Sequence, residues 1–165
     1  MKAKAVKVVA IVALATSSFM IGNAIAGKRS PTNEATAANL SSALHGEAFA
    51  YAKYMLYAER ARQNGNHDLA KLFESSANTE RFEHFAEEAR LVGLVSSDAD
   101  NLKDAIEGES YEAETMYREF RENAASAGDQ RAAERFEEIR RDEMKYRDAF
   151  KAALAKIVDA SDRVK

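Results

Sequence analysis

The chain has no cysteine, no tryptophan, one proline (Pro31) and three histidines in 165 residues. Without cysteine there is neither a disulfide nor a thiolate metal site, so a bound metal must be held by oxygen or imidazole. With no proline after residue 31, and no period-two run rich in Val, Ile or Thr outside the extreme N-terminus, nothing interrupts helix and nothing suggests strand. The class is all-α. The length suits one globular core rather than two. A formal charge of −3, with no face on which the 24 Lys and Arg residues gather, argues against a nucleic-acid partner.

Long apolar runs are also lacking, with one exception. Lys2, Lys4 and Lys7 precede an apolar stretch from Val8 to Met20, and Ala24-Ile25-Ala26 is a small-x-small site. Residues 1–26 therefore read as a secretory signal peptide cleaved after Ala26, which predicts an exported protein, periplasmic in a bacterium. The alternative is an uncleaved membrane anchor, since Val8 to Ala26 approaches the ~20 residues that span a bilayer. Cleavage would remove three lysines and take the charge from −3 to −6. Residues 27–38, small and polar, read as a flexible leader, leaving 39–158 as the folded domain.

Four helices are predicted, at 37–63, 67–92, 100–125 and 130–158. The breaks fall at Asn64-Gly65-Asn66, Val95 to Asp98 and Ala127-Gly128-Asp129. In steps of three and four, the apolar face of the first helix runs Leu40, Leu44, Glu47, Tyr51, Tyr54, and that of the second Leu69, Leu72/Phe73, Ser76, Glu80, Glu83. The third runs Leu102, Ile106, Glu109, Glu112, Met116, Phe120, and the fourth Phe136, Ile139, Glu143, Tyr146, Phe150, Leu154. Glutamates thus stand in core phase on every helix. Buried without partners, ionised carboxylates cost several kcal/mol or more each, so they must be protonated, paired or bound to cations.

The same positions carry an internal repeat. Gly46-Glu47 recurs as Gly108-Glu109, Gly65 as Gly128, Phe73 as Phe136 and Glu80 as Glu143, at an offset of 62 or 63 residues. Two similar helical hairpins would pack into a four-helix bundle with the carboxylates meeting near mid-length, a two-metal geometry. Charge runs such as Glu137-Glu138 and Arg140-Arg141-Asp142 read as solvated helix surface, with Glu137 pointing outward.

Gly46-Glu47, Ala77-Asn78-Thr79-Glu80 and the run from Asn101 to Glu112, continuing to Tyr117, resemble the rubrerythrin branch of the ferritin-like di-iron proteins. The resemblance covers about Leu40 to Leu154. It implies a ferritin-like four-helix bundle holding two iron ions, with Glu47, Glu109 and Glu112 as terminal ligands and Glu80 and Glu143 bridging. The family places a histidine three residues after each bridging glutamate; here those positions are Glu83 and Tyr146. His84 is one residue late, a ligand only if the helical register shifts locally. The resulting oxygen-rich set admits manganese as well as iron. Tyr146, beside Glu143, is the candidate for tuning one metal or contacting a bound oxidant.

The function that follows from the resemblance is an exported di-iron oxidoreductase, a peroxide reductase or ferroxidase using peroxide or dioxygen. No cysteine-ligated rubredoxin module is present to feed it, so an external electron donor is expected. The alternative is a non-enzymatic, iron-sequestering bundle. Chain reach adds a further expectation. In a ferritin-like bundle the second and third helices run parallel, and the connector between them is too short to retrace the bundle, so a domain-swapped homodimer is predicted.

Overall fold

A computed structural model describes residues 33–162, with side chains to residue 158. The expected signal peptide, and most of the stretch before the first helix, lie outside the described residues. Helix α1 spans Glu34–Gln63. It begins about one turn earlier than its apolar periodicity indicates because the Asn33 side chain accepts from the Ala35 backbone N–H at 2.8 Å, satisfying one of the free donors of the first turn. Helix α2 (His67–Thr79) runs through a π-helical turn, Glu80–Phe85, into α3 (Ala86–Val92). Helix α4 (Asp98–Tyr111) runs through a second π turn, Glu112–Met116, into α5 (Tyr117–Ala127), and α6 spans Gln130–Asp162. These are the four helical rods that the periodicity predicts, and no strand occurs among the described residues. The π turns are new, since an extra residue in one turn leaves the apolar pattern on either side intact.

The repeat extends to backbone hydrogen bonds. Gly65, with φ of 76°, and Gly128, with φ of 83°, end α1 and α5 in the left-handed conformation that glycine adopts without strain. Asn66 N–H donates to Ala61 C=O at 2.9 Å, and sixty-three residues on Asp129 N–H donates to Ala124 C=O at 2.9 Å. Each turn folds its two rods into an antiparallel hairpin. In the first hairpin α1 packs along α2, the π turn and α3; in the second α4 and α5 pack along α6.

The buried side chains are Leu44 and seven alanines: Ala58, Ala61, Ala70, Ala77, Ala89, Ala113 and Ala133. Alanine seams let two helices approach closely but bury little apolar area. Aromatic clusters brace each hairpin beyond its seam. Tyr54 and Tyr57 contact Phe73 at ring-centre distances of 6.1 and 5.3 Å, and at the repeated positions Tyr117 and Phe120 contact Phe136 at 6.2 and 5.6 Å.

The two hairpins do not pack on each other. Among the described residues no element of 34–92 contacts any element of 98–162, so the closed bundle expected from the sequence is not formed within the chain. Large apolar residues remain exposed: Leu69 and Leu72, in the phase leading up to Glu80, are 43% and 61% accessible. The connector between hairpins is braced. Gly93 caps α3 in the left-handed conformation, with Leu94 N–H donating to Ala89 C=O at 2.9 Å. Ser97 caps α4 through its hydroxyl, which accepts from Asp100 N–H at 3.2 Å. The Asn101 amide grips Ser96 twice, accepting from its N–H at 2.8 Å and donating to its C=O at 3.2 Å.

Candidate metal centre

Each hairpin gathers three donors on its open face. In the first, ligand atoms of Glu47, Glu80 and His84 lie within 4.8 Å of one another; in the second, those of Glu109, Glu112 and Glu143 do. Of the residues predicted from sequence, Glu47, Glu80, Glu109, Glu112 and Glu143 are brought together in this way. Glu83 is not: it is exposed and outside the first group. Tyr146 is 53% accessible.

The π turn explains why His84 takes the place expected of Glu83. In an uninterrupted α-helix the residue three after Glu80 would join it on one face, but the added residue at Glu80–Phe85 delays the register by one. His84 then bonds Glu80 Oε2 through Nδ1 at 2.8 Å and reaches 3.8 Å from Glu47 Oε2. This is the register shift on which its ligation depended. Across the repeat the offset changes from 63 at Glu80/Glu143 to 62 beyond the turn, which aligns His84 with Tyr146. The fourth rod has no such turn, and Arg147, four residues after Glu143, instead pairs with Glu114 at 2.9 Å.

The electrostatics of both groups would favour a bound cation. The Glu47 carboxyl is held above its usual range by hydrogen bonding to Glu80, then by burial and by the charge of Glu80, with His84 opposing. His84 is raised, chiefly by its bond to Glu80. In the second hairpin burial pushes Glu143 up to about 7, with the hydrogen bond to Glu109 and the charges of Glu109 and Glu112 adding to it. Glu112 is raised by burial and by Glu109. Two carboxyls within hydrogen-bond reach share a proton, or are both ionised only with a cation between them.

Two residues near the groups were not singled out from the sequence. Tyr117 is raised by burial and next by the charges of Glu112 and Glu143. In the sequence it stood only at the end of the run that carries the family resemblance. Glu88 has a buried Oε2 with no hydrogen-bond partner, and its charge acts on Glu47. The signal for Glu88 was its spacing, four residues after His84 on the same rod. Glu137, expected to point outward, is instead a half-buried hub. It accepts from Arg140 at 2.9 Å, from Arg141 at 3.1 Å and, across the hairpin, from Arg121 at 3.4 Å, and its carboxyl is depressed to about 2 chiefly by Arg140. Local periodicity does not reveal that a charge on α6 meets one on α5.

Five carboxylates and one imidazole form a hard donor set suited to ferrous, ferric or manganous ions and unsuited to soft metals. The fit extends to geometry, since carboxylates able to share a proton are also spaced to share a metal. Helical hairpins that present glutamates and histidine from facing rods are the frame of the carboxylate-bridged metal proteins as a class. The sequence matches the Rubrerythrin family over residues 38–85 and 77–154. It is 30% identical over 138 residues to a rubrerythrin of Porphyromonas gingivalis, covering 76% of this chain and 69% of that protein. It is 31% identical over 141 residues to the nigerythrin of Nitratidesulfovibrio vulgaris, covering 77% and 69%. The chain belongs to the rubrerythrin family, whose cofactor is a di-iron centre.

Proposed function

We propose that the protein is an exported di-iron peroxide reductase, with the two glutamate groups together holding the metal pair and a second copy of the chain as partner. The observation that carries this reading is the convergence of Glu47, Glu80 and His84, and of Glu109, Glu112 and Glu143, with Glu47/Glu109 and Glu80/Glu143 at positions repeated between hairpins. A bound pair of irons supplies two electrons, enough to reduce hydrogen peroxide with two protons to two waters; an external donor restores them. By the family resemblance Glu80 and Glu143 would hold both metals, Glu47, Glu109 and Glu112 would complete the coordination, and His84 would give one side a nitrogen donor. Tyr146, beside Glu143 in the sequence, would tune one metal or meet a bound oxidant, and Tyr117, on which the charges of Glu112 and Glu143 act, is a second phenol for that role. Export follows from the signal-peptide reading of residues 1–26.

The all-oxygen character of the second group favours one alternative, sequestration of iron without sustained turnover. The test is peroxide consumption by iron-loaded protein with an artificial electron donor in excess. Many turnovers per di-iron centre support the reductase; a single oxidation of the bound ferrous ions followed by arrest supports sequestration. Failure to bind iron or manganese at all overturns both.

A further inference from the structure

Glu88 places an acid where an acid is costly. Its Oε2 is buried and has no hydrogen-bond partner. A carboxylate oxygen stripped of water and left unpaired is among the least favourable arrangements in a folded chain, and one that persists calls for an ion, a water or a reaction that uses it. Glu88 stands in the first turn of α3, four residues after His84, and residues at that spacing share a helix face. Helical side chains lean toward the N-terminus of their own helix, which for Glu88 is the direction of His84 and Glu80. Across the hairpin α1 packs on α3, and the charge of Glu88 is felt at Glu47. Glu87, one residue earlier, is exposed. Neither the ligand set that the resemblance implies nor the three-donor group of the first hairpin includes Glu88.

We infer that Glu88 is a further carboxylate donor to the metal held by Glu47, Glu80 and His84, turning onto the ion as it binds. This deepens the functional reading above and rests on it. A glutamate side chain turns about three bonds, so its carboxyl can swing toward an ion while the helix stays in place. Desolvation, ordinarily a cost of binding, is already met in the fold, and the ion supplies the partner that Oε2 lacks. With Glu88 each hairpin presents three carboxylates, Glu47, Glu80 and Glu88 on one and Glu109, Glu112 and Glu143 on the other. Six carboxylates match the formal charge of two ferric ions, and five fall one short. The assignment carries two consequences of opposite sign. Replacing an unsatisfied buried polar group by an apolar one of similar shape leaves a fold as stable or more so, while removing a donor weakens the metal.

Glu88→Leu in the full chain tests both signs. Chelator competition with ferrous ion, kept anaerobic, and with manganous ion reads the metal affinities, and thermal unfolding of the metal-free protein reads stability. One metal is expected to weaken by roughly 10- to 100-fold, the same one that His84→Ala weakens, while the metal-free midpoint stays at or above that of the wild type. Glu87→Leu, at the exposed neighbour, is expected to leave both affinities unchanged. Wild-type affinity in Glu88→Leu overturns the assignment and leaves the functional reading standing. An equal loss in Glu87→Leu overturns it too, because the effect would then belong to the general charge of the rod. A metal-free midpoint below that of the wild type overturns it by making Glu88 a packing residue. Failure of the wild type to bind either ion overturns the functional reading and the assignment together. If Glu88→Leu does not fold, Glu88→Gln takes its place, since it keeps the length of the side chain and removes its charge. The same loss of affinity is expected there, and wild-type affinity overturns the assignment.

Discussion

The two hairpins share one plan and differ by the placement of a single residue. Both turn on a left-handed glycine, both pack on alanine, and both brace their open face with three aromatic rings. In the first the π turn lies on the second rod, just after Glu80, and delivers His84. In the second it lies on the first rod, at Glu112–Met116, and the rod carrying Glu143 stays α-helical. Donor chemistry follows from where the extra residue sits. One group becomes mixed nitrogen and oxygen, the other remains all oxygen, so two metals bound between them would have unequal surroundings from two nearly equal halves.

Removing a bridging glutamate is the most severe way to break the comparison. Glu80→Ala and Glu143→Ala are each expected to lose at least one metal ion per centre, whereas Glu83→Ala, three residues from Glu80, leaves the stoichiometry unchanged. Elemental analysis of the purified variants decides it, and equal loss in Glu80→Ala and Glu83→Ala would mean that the π turn does not set the ligand. Next in size is His84→Ala, which should weaken one metal by roughly 10- to 100-fold while leaving the other near its original affinity, by analogy with the effect of losing a conserved partner of a metal ligand. Competitive chelator titration reads both constants, and equal weakening of the two would contradict the asymmetry. Tyr146→His sharpens the contrast from the other side. It offers the second group a nitrogen at the spacing of an ordinary helix, and a gain of about tenfold in affinity for the adjacent metal is expected, a difference of ~1.4 kcal/mol. No change would place residue 146 out of reach of the centre.

The smallest effect concerns a feature present in one hairpin only. Glu137 is depressed from 4.5 to about 2 by Arg140 and Arg141, so its ion pairs stabilise the folded state fully above the unfolded value of about 4.5. That contribution fades as pH falls from about 4.5 through about 2, where the folded carboxylate takes up its proton. Thermal midpoints of wild type and Glu137→Gln should therefore differ at pH 6 and converge at about pH 2. A difference that stays constant with pH would mean that packing, not charge, holds the hub together.

The four rods, their turns and five of the six gathered donors were legible because inward glutamates break an otherwise apolar period, and a break of that kind is costly unless chemistry uses it. The sixth, His84, was legible only as a conditional ligand, because the family pattern puts the histidine three residues after the glutamate and no local rule announces that one turn will take an extra residue. Glu137 was misplaced for a different reason. Its run of charges looks like any solvated helix face, and its partner Arg121 lies sixteen residues away on the other rod of the hairpin. The separation of the hairpins was legible in one respect only, the shortness of the connector between Val92 and Asp98.

That, among the described residues, every contact between rods stays within a hairpin also sets a clock. Each rod meets only its immediate neighbour in the chain, across a turn of a few residues, so the hairpins close by short-range pairing of the kind that completes fastest in helical proteins. A second copy covering their glutamate faces, as proposed, would arrive afterwards, as an encounter rather than a closure. Refolding followed from high dilution should then split into a rapid gain of helical signal that is indifferent to protein concentration and a later burial of tyrosine whose rate climbs in proportion to it.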